Sequence, residues 1–193
     1  LPLAADGPLS RHVFAFARAD TPGRAAVCPV PRLVPAPLAA GDVLELGGVR
    51  LEVLGPPPGS EAMGDNDASL VIRAVHGRTA FLLPGDVEAA GESALVARGG
   101  IEADVVKVPH HGSRSSSGRG LTSASSPRWA VVSVGTRNPF GFPHAEALAR
   151  WREAGAEVLR TDEGPVRFLS DGSSVRRVPA AGALDAWALW RGR

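Results

Sequence analysis

Two stretches of the chain alternate apolar and polar residues with the period of a half-buried strand. Val43-Leu44-Glu45-Leu46, a Gly47-Gly48 turn and residues 49–54 form one hairpin pattern. Residues 69–75, a His76-Gly77-Arg78 turn and residues 79–83 form a second, which ends on Pro84-Gly85-Asp86. Between them residues 55–64 are rich in Pro and Gly and read as a loop. The composition of residues 87–98 is helical, and Gly99-Gly100 supplies a C-cap. A short strand over 103–108 runs into Pro109-His110-His111-Gly112-Ser113, and 129–134 reads as a buried strand ending at Gly135. Residues 143–154 predict a helix, 157–160 a strand, and 164–169 with 174–178 a final strand pair. The Ser-rich tract 115–126 reads as a mobile loop.

Upstream of Gly41 the pattern is lost. Seven prolines between Pro2 and Pro37 interrupt residues 1–40, leaving short strands over 12–17 and 25–30 as the only candidates. The chain therefore divides into an irregular segment 1–40, a domain over 41–178 and a tail over 179–193. Strands feeding helices, with polar clusters just past strand ends, point to an α/β or α+β layered domain. Ligand chemistry in such folds gathers at those ends.

Composition changes this picture little. Apolar residues make up 44% and charged residues 21%, enough for a real core. The net charge of +1 gives no global electrostatic case for nucleic-acid binding, which leaves only local patches. Lys107 is the single lysine. Cys28 is the single cysteine, so there is no intrachain disulfide partner and no thiolate cluster. Among prolines and apolar residues, Cys28 reads as a buried, inert thiol. No apolar run reaches the roughly 20 residues of a membrane span, and the first residues lack the pattern of a secretory signal. A start at Leu1 rather than Met is expected of a processed chain or a fragment.

The candidate chemistry lies at strand ends. Asp86 follows an apolar strand and reads either as a hard-oxygen metal ligand or as the N-cap of the helix after it. In the tetrad 110–113, the strand direction lets one histidine point into a pocket while the other braces it or faces a substrate. Gly112 permits close backbone approach, and Ser113 offers a hydroxyl to a phosphate or to a supporting partner. Asn66, Asp67 and Ser69 close their loop through Asx-type hydrogen bonds or take part in catalysis. His144, at a helix start, is a further candidate for the same pocket; His12 and His76 read as incidental.

These residues occur in a recognisable order. Asn66-Asp67-x-Ser69-Leu70-Val71, Leu82-Leu83-x-Gly85-Asp86, Lys107-Val108-Pro109-His110-His111-Gly112-Ser113 and Gly141-x-Pro143-His144-x-Glu146-x-Leu148 follow one another. Over residues 41–172 the chain resembles the C-terminal metallo-β-lactamase-like domain of ComEC-type competence proteins, membrane proteins of DNA internalisation. The resemblance implies the C-terminal portion of an αββα sandwich and a metal-dependent hydrolase with DNA as substrate. It implies a zinc or manganese site in which Asp86 is similar to a metal-bridging aspartate and His111 to a histidine ligand. His110 and His144 are the further metal candidates, and Ser113 and His144 match positions lining the active site. It also implies a parent protein in the bacterial inner membrane, whose channel portion would be the partner of this soluble domain.

Two departures accompany the likeness. The family's His-x-Asp-x-Asp-His run has no counterpart here, and Phe142 stands where a histidine is common. A zinc site needs roughly three or four protein ligands, so the set is incomplete and weak metal binding is expected. The leading expectation is thus a nuclease-like hydrolase module. A second is a catalytically inactive domain binding DNA or a partner, with Arg114, Arg119, Arg128 and Arg137 meeting phosphates. A third is a small-molecule hydrolase of the same fold.

Overall fold

A computed structural model describes residues 38–179. The expected strands at 12–17 and 25–30, His12, Cys28, and most of the segment 1–40 and the tail 179–193 lie outside them.

Seven strands form one mixed sheet whose order follows the sequence. The first hairpin is β1 (Val43–Leu46) and β2 (Val49–Gly55); the second is β3 (Val71–His76) and β4 (Thr79–Leu83). All of these pair antiparallel, and two-residue turns containing Gly join β1 to β2 and β3 to β4. From β4 onward the pairing is parallel, through β5 (Val105–Lys107), β6 (Trp129–Val132) and β7 (Glu157–Arg160). Parallel neighbours need crossover connections. These carry α1 (Ala89–Arg98), α2 (Arg119–Ser125) and α3 (Ala145–Glu153), while β8 (Phe168–Ser170) and β9 (Val175–Arg177) form a separate hairpin.

The period-2 alternation sorts side chains to two faces. Ala80, Leu82, Val106, Ala130 and Val132 pack with Leu95 of α1, Leu121 of α2, and Leu148 and Trp151 of α3. Phe81, Val105, Trp129, Val131 and Leu159 pack on the other face with Phe168 and Val175 of the β8–β9 hairpin. His76, expected to be incidental, helps pin that hairpin: its Nδ1 lies 2.9 Å from Ser170 Oγ. The arrangement is the layered α/β architecture expected. Among the described residues no helix is long and apolar enough to cross a membrane.

One expectation fails. Residues 115–126 are not a mobile loop: α2 lies within them, and Ser116, Ser117, Thr122 and Ser125 are buried. The serines spend their hydroxyls on backbone carbonyls, Ser116 on Pro109 and Ser113, and Ser125 on Leu121. Such local bonding is why Ser has low helix propensity in isolation and why a Ser-rich tract looks unstructured.

Candidate functional site

Because β4, β5 and β6 run parallel, their C-terminal ends share one edge of the sheet, and the polar residues following each meet there. Asp86 leaves β4 through Gly85, whose φ of +67° favours glycine; a Cβ there would come within 2.7 Å of Ser69 Cβ. That close approach lets the Asp86 N–H donate to Ser69 Oγ at 3.1 Å. Asp86 caps no helix, so the N-cap alternative is corrected. The N-terminus of α1 is capped from a distance by Asp67, whose Oδ1 accepts the Glu88 and Gly91 N–H groups at 2.7 and 2.8 Å. Asp67 therefore acts structurally, but on a helix more than twenty residues away rather than on its own loop. With that duty discharged elsewhere, the Asp86 carboxylate is free to face the sheet edge.

Lys107, the last residue of β5, reaches back to this carboxylate. Its Nζ donates to the Gly85 carbonyl at 2.8 Å and to Asp86 Oδ1 at 3.1 Å. Burial alone would raise the carboxyl of Asp86. The Lys107 ammonium, by charge and hydrogen bond, and then the His111 and His110 imidazoles outweigh it and hold the carboxyl below the usual carboxylate range.

After β5 the chain turns tightly through Pro109–Gly112, with His110 and His111 both in left-handed backbone conformations (φ 42° and 53°). Two consecutive non-glycine residues there cost roughly 1–2 kcal/mol each, and the surroundings hold them. The His110 N–H donates to the Gly85 carbonyl at 3.3 Å, Ser113 N–H to His110 at 2.9 Å, and His144 N–H to Gly112 at 2.9 Å. Gly112 itself has φ +81°, and a Cβ there would meet Pro143 Cβ at 2.6 Å, so the segment entering α3 closes directly over the histidine turn.

The strained turn sends the two imidazoles to different partners. His111 Nδ1 lies 2.6 Å from the Ser133 carbonyl just past β6. A carbonyl only accepts, so Nδ1 carries a proton, and Nε2 is turned toward the carboxylate, 3.7 Å from Asp86 Oδ1. A histidine ligand is usually oriented in this way, its second nitrogen anchored to a carbonyl. His110 Nδ1 instead meets Glu88 Oε1 at 2.9 Å. Glu88 also accepts from Ser115 Oγ at 2.6 Å and Asn66 Nδ2 at 3.4 Å. The Ser115 hydrogen bond, then those from His110 and Asn66, hold its carboxyl below the ordinary range despite some burial.

The remaining candidates surround this pair. Ser113 Oγ lies 2.8 Å from Ser115 Oγ and joins the Glu88 network. The His144 ring sits edge-on to Phe142 at 5.5 Å, and no hydrogen bond joins it to Asp86 or His111. Arg114 and Arg119 form exposed ion pairs with Glu146 (3.8 Å) and Glu153 (2.7 Å), and Arg128 lies 4.1 Å over the Trp129 ring. Arg137 is exposed, with no carboxylate partner among the described residues. Sequence reasoning passed over Glu88, Lys107, Ser115 and Ser133. Lys107 alone carried a signal, as the single lysine at a strand end.

A metal is tested by donor count. Asp86 Oδ1 and His111 Nε2 converge, but among the described residues no group of three or more His, Cys, Asp or Glu side chains is placed to hold an ion. The Lys107 ammonium already shares the carboxylate. Two donors fall short of the three or four a zinc site needs, so the described residues do not by themselves fit a resident ion.

No family model matches the chain. It is 36% identical over 130 residues to ComE operon protein 3 of Bacillus subtilis, covering 66% of this chain and 17% of that protein. It is 37% identical over 124 residues to Competence protein ComA of Neisseria gonorrhoeae, covering 63% and 18%. Recombination protein 2 of Haemophilus influenzae is 35% identical over 127 residues, covering 64% and 16%. The chain thus spans less than a fifth of the length of these relatives. Over about two thirds of its length it is a segment of the ComEC family of competence proteins.

Proposed function

We propose that this segment is the C-terminal portion of a metallo-β-lactamase-type αββα sandwich, serving as a metal-dependent phosphodiesterase module in DNA uptake. The observation that carries the reading is the pairing of His111 and Asp86. An imidazole whose Nδ1 is tied to a backbone carbonyl presents Nε2 to a carboxylate at the shared ends of parallel strands. The names of the relatives, competence and recombination proteins, support DNA as substrate. Under this reading Asp86 and His111 are half of a zinc or manganese ligand set, completed by donors outside the described residues. The membrane channel of a longer protein would be the module's covalent neighbour. Within the segment, Lys107 fixes the Asp86 carboxylate, and Glu88 with Ser115 fixes the His110 ring so that its Nε2 stays available to the site.

The test asks whether a version of the protein extended to the length of its relatives cleaves DNA when manganese or zinc is added, as this reading expects. His111→Ala is expected to lower cleavage by at least about 100-fold, since lost metal-site partners alone cost 10–100-fold. Unchanged cleavage would remove His111 from the ligand set. One observation favours a second reading, a catalytically inactive DNA- or partner-binding domain: the Lys107 ammonium on Asp86 already neutralises the carboxylate. DNA binding without metal uptake or cleavage in the longer version would decide for it.

A further inference from the structure

The loop between β6 and α3 ends beside the histidine turn and carries a feature that the hydrolase reading leaves unused. Phe140 is 73% exposed, the only aromatic among the large exposed apolar side chains of the described residues. Its ring stacks on Phe142 at 5.8 Å with 20° between planes. Phe142 in turn meets His110 and His144 edge-on, each at 5.5 Å. A column of rings therefore runs from solvent to His110, whose ring centroid lies 6.5 Å from that of His111.

The loop that carries the exposed ring is held by hydrogen bonds. Asn138 Oδ1 accepts the Phe140 N–H at 3.0 Å, and its Nδ2 donates to the Phe142 carbonyl, so one side chain fixes the backbone that carries both aromatics. Around Phe140 the loop is polar or small: Thr136, Arg137, Asn138, Pro139 and Gly141. A protein-docking surface needs a contiguous apolar patch, which a single projecting ring is not. A flat ring with one open face, on a loop that three residues earlier carries an arginine with no carboxylate partner among the described residues, is instead the arrangement on which single-stranded nucleic acid stacks. In a duplex the base faces are covered by neighbouring pairs and only edges are offered.

We propose that the Phe140–Phe142 stack is a platform for an unpaired nucleobase, with Arg137 meeting an adjoining phosphate, so that the site takes single-stranded nucleic acid in preference to duplex. The proposal rests on the phosphodiesterase reading only in taking the neighbouring site to handle a nucleic-acid backbone.

The test is binding, in chelator and therefore without turnover. Fluorescence anisotropy of the full 193-residue chain compares a short oligothymidylate, the same strand with abasic positions, and a duplex of equal length. The intact single strand is expected to bind tightest. Phe140→Ala should weaken it about tenfold, to the level of the abasic strand, while leaving duplex binding unchanged, and Phe140→Trp should restore it. Arg137→Ala should reduce the slope of log affinity against log salt by about 0.7. A preference for duplex, no binding of the single strand, or wild-type affinity in Phe140→Ala with an unchanged unfolding midpoint would each overturn the platform. If His111→Ala abolishes cleavage while Phe140→Ala binds normally, the platform alone fails. If Phe140→Ala loses binding while His111→Ala still cleaves, the ligand assignment alone fails.

Discussion

At the scale of single residues, Asp67 couples the candidate site to the scaffold. Its Oδ1 accepts two N–H groups at the start of α1, the helix that also bears Glu88 at its entrance. Replacing an N-cap acceptor by Ala typically costs about 1 kcal/mol. Asp67→Ala is therefore expected to lower unfolding free energy by about 1–2 kcal/mol in urea titrations. Asp67→Asn, which keeps the accepting oxygen, should cost less than half of that. An equal loss in both variants would show that charge, not the hydrogen bonds, is what matters. His111 and Asp86 were legible as chemistry from residue type and position after a strand. Their actual partners, the Ser133 carbonyl and Lys107, were not, because residues far apart in sequence supply them.

At the scale of elements, three helices are tied together by a buried carboxylate and an arginine that meet on one turn of backbone. Glu92 of α1, 4% exposed, accepts the N–H groups of Ser117 and Gly118 at the entrance to α2. Arg150 of α3 donates to the Ser117 and Ser116 carbonyls at 2.6 and 2.9 Å, closing the triangle. Burial pushes the Glu92 carboxyl up to about 7, against the lowering by those two backbone bonds and by Arg150. A folded-state value above the unfolded one means that the native state binds the proton more tightly. The stabilisation it contributes is full below about 4.5 and is lost as pH rises through about 7. A shift of that size corresponds to at most about 3 kcal/mol. The stability difference between wild type and Glu92→Gln, followed by urea unfolding, should fall across this window; a flat difference would contradict the raised value. The same contacts explain why α2 escaped the sequence. Its Leu121 is one apolar residue in a Ser-rich run, and contacts from α1 and α3 hold the helix where propensity does not.

At the scale of the whole molecule, the two faces of the sheet are covered unequally. Helices line one face from the end of β2 to β7, while the β8–β9 hairpin packs on the other around β4–β7. Leu44 pairs with Leu51, and Leu46 with Val49, on the same face as that hairpin. Leu44 and Leu46 remain 39% and 52% exposed. Half of a two-sheet sandwich would leave such an apolar face for the other half to cover. The double substitution Leu44→Glu, Leu46→Glu is expected to reduce binding of a hydrophobic dye to the chain without shifting its urea midpoint. A lowered midpoint would mean that these leucines are part of the segment's own core.

The sequence by itself determined the strands, their hairpin turns, the layered class, and the placing of Asp86 and His111 at strand ends. Hydrophobic periodicity and glycine turns are local properties that follow from backbone sterics and side-chain alternation. Only the tertiary structure decided that Asp67 rather than Asp86 caps α1, that residues 115–126 contain a helix, and that Lys107 and Glu88 furnish the site. Those outcomes depend on hydrogen bonds and ion pairs between residues far apart in sequence. A buried carboxylate or ammonium takes whichever partner the packed fold brings within about 3 Å, and no sequence spacing encodes that choice.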